Sequence, residues 1–94
     1  MTLPMIQACE YNDNNDMIES MEFHWVEDAM EWCETRRGVP LLWGDTEFGY
    51  QGMTEAERDS GVGFPPKWYE VHAVNEEGEV DYVVEDHHKD GKFR

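Results

Sequence analysis

Basic residues are scarce in this sequence. Its 94 residues include seven Lys and Arg against 22 Asp and Glu, so the formal net charge is −15. A chain of this charge repels phosphate groups and anionic lipid headgroups, which argues against direct binding to nucleic acid or to an anionic membrane. The deficit is steepest at the start, because residues 1–35 hold nine acids and no Lys or Arg. The charge favours a basic protein surface as partner.

Long apolar runs and export signals are also missing. No stretch approaches the roughly 18 apolar residues that a membrane-spanning helix needs. The first residues lack the basic start and the long apolar segment of a signal peptide. The two cysteines, Cys9 and Cys33, can form at most one disulfide. We therefore expect reduced thiols and a cytoplasmic location, which is the host cytoplasm if the protein is viral.

The motifs of catalysis and metal binding are absent from the sequence. There is no Cys-x-x-Cys or His-x-x-x-His pair, no Gly-x-Ser-x-Gly and no glycine-rich phosphate loop. The neighbouring His87 and His88 lie beside acids, but adjacent side chains of a strand point to opposite faces. We expect no metal, no cofactor and no enzymatic activity.

The apolar content is nevertheless sufficient for a folded core. Hydrophobic residues make up 39% of the chain and aromatic residues 13%, whereas disordered acidic segments are poor in aromatics. The length leaves room for a single domain over residues 1–94. Within it, Gly and Pro residues predict a long loop over 44–66, and the polar composition predicts a solvated tail over 87–94.

The clearest predicted element is a long acidic amphipathic helix over residues 16–37. Asp16 suits the N-cap position, and Gly38 suits the position just after the C-terminus. Apolar residues recur on one side at helical spacing. A rival interpretation makes residues 17–25 a strand, since their apolar residues also fit a period of two, and begins the helix near Val26.

A β-hairpin is the second predicted element. Lys67–Val74 and Glu79–Glu85 have strand composition, with a four-residue turn at 75–78 between them. If Val74 pairs with Glu79, six apolar residues share a core-facing side: Tyr69, Val71, Ala73, Val80, Tyr82 and Val84.

Shorter elements complete the predicted fold. Strands are expected over 5–11 and 39–43, and one helical turn capped by Thr54 is expected over 54–58. The sequence thus predicts an α+β fold in which one long acidic helix packs on a small antiparallel sheet that includes the C-terminal hairpin.

Two acidic runs are the candidate binding surface. On a helix, the first run forms a stripe with no lysine four residues away to neutralise it: Glu27, Asp28, Glu31 and Glu34. Its carboxylates, spaced about 5–6 Å apart, approximate the phosphate repeat of one nucleic-acid strand. The second run decorates the hairpin: Glu76, Glu77, Glu79 and Asp81. Trp43 and Tyr50, in or beside the glycine-rich segment, are the aromatics expected to be exposed as interface anchors.

Size and composition resemble those of the short acidic proteins that viruses and mobile elements make as nucleic-acid mimics, which share no fold or motif. The resemblance implies an inhibitor that occupies the basic site of a nucleic-acid-binding protein. Two alternatives stay open. One is an immunity- or antitoxin-like partner of a basic toxin. The other is an accessory or structural subunit of a larger assembly, which predicts an exposed apolar patch within 44–66. The acidity also fits a role in solubility alone.

Overall fold

The architecture is α+β, with one antiparallel sheet and two helices in a computed structural model that describes residues 5–60, 67–84 and 87–89. Within these ranges the elements follow in the order β1 Met5–Asn12, β2 Met17–Phe23, α1 Val26–Arg37, β3 Leu42–Asp45, β4 Gly49–Met53, α2 Glu55–Ser60, β5 Lys67–Val74 and β6 Val80–Asp81. Neither helix has the length and apolar composition needed to cross a membrane.

The sheet is built around its two longest strands. Its order is β2-β1-β5-β4-β3, and the short β6 pairs with β5 beyond the end of β4. β1 and β5 pair along their full lengths of eight residues, from Met5 opposite Val74 to Asn12 opposite Lys67. They hold the centre because they carry the most buried side chains of all the described strands.

The core lies between α1 and one face of the sheet. Ala8, Val71 and Tyr50 are opposite one another on β1, β5 and β4, so their side chains share that face. The helix packs its buried residues against them: Val26, Ala29, Met30 and Cys33. Burying each large side chain contributes about 1.5–3 kcal/mol, so this interface is the main source of stability.

The helix is shorter than the longer of the two predictions. α1 begins at Val26, and its N-cap residue Trp25 makes no side-chain capping bond, so the predicted cap at Asp16 is wrong. Residues 17–23 form β2 instead, as the rival interpretation has it. The C-terminal end is as predicted, because Gly38 adopts the left-handed conformation at φ 85° and its N–H bonds to Glu34 O.

The predicted hairpin register is wrong by one residue. Val74 is opposite Val80, not Glu79, and β6 ends at Asp81. The turn has three loop residues, with Gly78 at φ 83° as the left-handed residue, so Asn75 closes against Glu79. The shift takes the later residues off the core face: Val80, Tyr82 and Val84 are 47%, 54% and 47% exposed.

The predicted loop over 44–66 contains structure of its own. Gly49–Met53 is β4, and Glu55–Ser60 is α2, which Thr54 caps as predicted. α2 is connected to α1 by an ion pair, because Arg37 donates to the Glu57 carboxylate at 3.0 Å. The predicted strand over 39–43 lies instead at Leu42–Asp45. Residues 61–66 lie outside the described ranges.

The start of the predicted solvated tail is buried. His87 and His88 are 8% and 2% exposed, because the chain returns to α1 and β4 at this point. The rest of the prediction, from residue 90 on, lies outside the described residues.

Candidate protein-binding surface

The first acid of the helix stripe belongs to an internal contact. Glu27 Oε2 is hydrogen-bonded to His88 Nδ1 at 2.7 Å, and its Oε1 accepts the Lys89 backbone N–H at 2.7 Å. Burial raises the pKa of Glu27, but the hydrogen bonds from Lys89 and His88 outweigh it and hold that pKa below its usual range. On the other side of the imidazole, His88 Nε2 lies 3.2 Å from the Tyr50 hydroxyl. This acid anchors residues 87–89.

The remaining stripe residues differ from one another. Asp28 forms an ion pair with Lys89 Nζ at 2.6 Å, and Glu34 accepts the Leu41 N–H at 3.2 Å, which secures the turn after the helix. Glu31 is exposed and has no ion-pair partner among the described residues. The helix itself supplies no lysine to the stripe, as the sequence shows, but Lys89 reaches it from a position distant in sequence.

The hairpin turn is ordered by a single asparagine. Asn75 Oδ1 accepts the N–H groups of Glu77 at 2.9 Å and Glu79 at 3.0 Å, and Asn75 O accepts the Gly78 N–H at 3.0 Å. The same three bonds recur at the β1–β2 turn, where Asn12 accepts the N–H groups of Asn14, Asn15 and Asp16. Because glycine adopts positive φ without steric cost, the turn at 75–79 is unstrained.

The acids on this hairpin are free of internal contacts with cations. All four predicted residues are exposed, and within the described part of the chain none has an ion-pair partner: Glu76, Glu77, Glu79 and Asp81. The Asp81 carboxylate accepts the next backbone N–H, that of Tyr82, at 2.8 Å. These carboxylates are therefore displayed on a backbone whose own hydrogen bonds hold it in place.

The two aromatic residues expected at the surface are not exposed anchors. Tyr50 is 5% exposed and belongs to the core, beneath α1. Trp43 is half-buried and packs against the core from the edge strand β3. Its ring lies over Gly52, where an added Cβ would come within 2.7 Å of it, so the glycine makes room for the indole. Burial thus corrects the prediction for both.

Exposed apolar side chains occur on β2 instead. Met17, Ile18 and Met21 are 55%, 49% and 51% exposed. Glu19 and Glu22, between and beside them, are exposed as well. The alternating pattern over 17–25 predicts a strand here, but it does not show that this strand lies at the edge of the sheet.

A shallow groove of about 390 Å³ lies along α1 beside Phe23, the last residue of β2. Phe23 and Trp32 form its aromatic part, with ring centroids 6.3 Å apart, and Asp28 and Glu31 stand beside them. The Arg36 guanidinium lies 5.1 Å from the centre of the Trp32 ring. The groove therefore combines aromatic surface with carboxylates, which is an environment that suits cationic side chains.

One acid that belongs to no predicted run is the most buried of all those described. Glu10 is 1% exposed and accepts hydrogen bonds from Arg36 Nη2 at 2.9 Å and from the Tyr69 hydroxyl at 2.5 Å. Burial raises the pKa of Glu10, while the bonds from Arg36 and Tyr69 lower it and prevail. No sequence signal separates this acid from its neighbours, since its partners lie 26 and 59 residues away.

No group of three or more His, Cys, Asp and Glu side chains in the described part of the chain is arranged to hold a metal ion. Comparison of the chain with protein-family models, with curated proteins and with solved structures gives no match in any of the three.

Proposed function

We propose that this protein binds a basic nucleic-acid-binding protein and inhibits it by occupying the site that receives nucleic acid. The observation that carries the proposal is the hairpin: Glu76, Glu77 and Glu79 are exposed on an ordered turn, with no cation beside them among the described residues. Acids displayed in this way attract a cationic groove and lose little conformational freedom on binding it.

Most of the described acids have no ion-pair partner among the described residues. Nineteen of the 22 acidic residues lie in the described ranges, and five of these form ion pairs, two of them with histidine, which leaves fourteen acids without one. Self-repulsion of this size opposes folding. A basic partner would relieve it, because each contact would neutralise a charge that has no ion-pair partner among the described residues.

The share of the helix in this surface is smaller than its sequence suggests. Glu27, Asp28 and Glu34 already make contacts within the chain, whereas Glu31 is free to meet a partner. We therefore assign the main electrostatic contact with the partner to the acids of the hairpin, at one end of the sheet.

The proposal is tested by capture from a lysate of the host, with the protein immobilised as bait. Bound material is eluted along a salt gradient and identified. We expect one basic nucleic-acid-binding protein, released at moderate salt because its contacts are electrostatic and screened. Adding the DNA or RNA that this protein binds should displace it, since both ligands compete for one site.

Two variants distinguish the contribution of the hairpin acids to binding from that of the overall net charge. Glu76→Lys/Glu77→Lys should abolish capture, whereas Glu55→Lys/Asp59→Lys carries the same charge change on exposed residues of α2 and should retain most of it. Equal loss in both variants would show that net charge alone attracts the partner. Capture that ignores both salt and nucleic acid would refute the proposal and favour an accessory subunit.

A further inference from the structure

The two outer strands of the sheet differ in how far they are protected against further pairing. β3 has four residues and follows Pro40 closely, and short strands and nearby prolines are usual protections of a sheet edge. β2 has seven residues, with neither Pro nor Lys, and no described strand pairs with its outer side. It therefore presents a row of backbone N–H and C=O groups that can receive another strand.

The side chains of β2 suit an intermolecular contact. Met17, Ile18 and Met21 are about half exposed, and methionine adapts its shape to varied partners. Glu19 and Glu22 alternate with them, on opposite faces of the strand, since they are opposite Glu10 and Gln7 of β1. An added strand would meet one carboxylate and apolar surface on each of its faces.

The groove beside Phe23 extends this surface from the end of β2 onto α1. Side chains of an added strand that point to the helix side would enter the space beside Phe23 and Trp32, near Asp28 and Glu31. The chain already contains one example of the contact expected there. Arg36 lies over Trp32 while it donates to Glu10. A second cationic side chain would find the same pairing of ring and carboxylate.

We propose that the outer edge of β2 binds an extended segment rich in lysine or arginine, which joins the sheet as a further strand. The basic character of that segment rests on the proposed function. Strand addition supplies main-chain hydrogen bonds, and alternate side chains supply selectivity. The charge of the surrounding surface selects the cations, because residues 1–35 contain no Lys or Arg and five of their acids are exposed: Asp13, Asp16, Glu19, Glu22 and Glu31.

A second copy of this chain fits the edge less well. Pairing two β2 strands would bring together two chains that each carry a charge of −15, and like charges at close range oppose association. A basic segment meets no such opposition.

The test uses a peptide of alternating lysine and valine, as long as β2, with the full-length protein. Amide hydrogen exchange followed by NMR should show new protection within 17–23, confined to alternate residues, because only those point outward from an edge strand. Two N-methylated versions of the peptide, modified at alternate residues in either phase, keep the charge. At least one of them should bind about tenfold more weakly, since it lacks the amide donors.

A matched pair of variants locates the site. Met21→Lys/Glu22→Lys and Val39→Lys/Asp59→Lys each replace one exposed acid and one half-exposed apolar residue, so both change the net charge equally, and the second pair lies outside both proposed binding surfaces. The first should weaken peptide binding about tenfold or more, while the second should weaken it less than about threefold, through long-range attraction alone. Circular dichroism checks that both variants are folded.

Three results would overturn the inference: equal binding of all the peptides, equal weakening in the two variants, or no new protection in β2. Concentration-dependent protection of the same amides without peptide would assign the edge to a second copy instead. The proposed function fails separately. If the basic protein is captured and displaced by nucleic acid while the peptide leaves β2 unprotected, only the strand-addition inference falls.

Discussion

The acids of α1 and the acids of the 75–79 turn are alike in sequence and differ in what they do. Both are runs of carboxylates with few bases nearby. In the helix, Glu27 holds His88 and the Lys89 backbone, and Asp28 pairs with the Lys89 ammonium. On the turn, the carboxylates of Glu76 and Glu77 contact no cation of the described chain. Two acids of the first run make contacts within the fold, whereas those of the second are exposed to solvent.

The difference lies in contacts that are distant in sequence. Lys89 is 61 residues from Asp28, so a search for neutralising lysines along the helix does not find it. The turn is at an end of the sheet, where its own backbone bonds to Asn75 leave the side chains facing solvent. An acidic run in a sequence therefore indicates a binding surface only where the folded chain does not already use its carboxylates in internal contacts.

The largest effect on stability is expected at the most buried acid. Glu10→Gln leaves Arg36 without its charged partner and should lower the free energy of unfolding at neutral pH by about 1–3 kcal/mol, moderated by the partial exposure of the guanidinium. Urea unfolding measures the change. Glu19→Gln, on the exposed position opposite Glu10 in the sheet, is the control and should change little.

The pH dependence of this variant has a definite sign. The pKa of Glu10 is lower in the folded protein than its ordinary value of 4.5, so its stabilising contribution is complete above that value. The contribution is lost as the pH falls through the folded pKa. The gap between wild type and Glu10→Gln should therefore close in acid. A gap that stays constant down to full protonation would show that the charge of Glu10 is unimportant.

A smaller loss is expected at the first acid of the helix. Glu27→Gln weakens the hydrogen bonds to His88 and Lys89, so unfolding should cost about 1–2 kcal/mol less. Glu31→Gln, one turn further along the same helix, removes an exposed carboxylate and should stay within about 0.5 kcal/mol of wild type. Equal effects of the two substitutions in thermal unfolding would show that the internal hydrogen bonds of Glu27 do not distinguish it from the exposed Glu31.

We expect Asn75, in the hairpin turn, to contribute to partner binding as well as to stability, because it orders the turn that carries the acids. Asn75→Ala removes the acceptor of two N–H groups and should cost about 0.5–1.5 kcal/mol. Asn12→Ala removes the same pair of bonds from the β1–β2 turn and should cost a similar amount. Only Asn75→Ala should also weaken partner binding. If both variants weaken it equally, the ordered turn is not the binding element.

The smallest effect on stability is expected at the turn acids themselves. Glu76→Gln/Glu77→Gln should leave the free energy of unfolding within about 0.5 kcal/mol of wild type, or raise it slightly, because like charges are removed from the surface. Chemical denaturation tests this. A marked loss of stability would mean that these carboxylates support the fold, as Glu27 does.

Local signals predicted much of this fold. The strands at residues 5–11 and 67–74, a turn between residues 74 and 80, and the helix end at Gly38 each depend on neighbouring residues, and the structure confirms them. Segment 17–23 fits both a helical and an alternating pattern, so pairing with β1 decides it. The hairpin register depends on one backbone conformation, that of Gly78, which the residue type permits but does not require.

The candidate site was predictable only in part. Exposure of the hairpin acids follows from turn composition, which the sequence shows directly. The burial of Tyr50 and Glu10 follows from side chains 38 and 59 residues away, which no local pattern contains. The open edge at β2 depends on strand order, and strand order is a property of the whole sheet.

The most direct test of the account is the affinity of the captured basic protein for wild type and for Glu76→Lys/Glu77→Lys, measured over a range of salt concentrations. We expect wild-type binding to weaken steeply with salt, to compete with the nucleic acid that the partner recognises, and to fall about tenfold or more in the variant. Equal affinity for both chains, insensitive to salt and to nucleic acid, would contradict it.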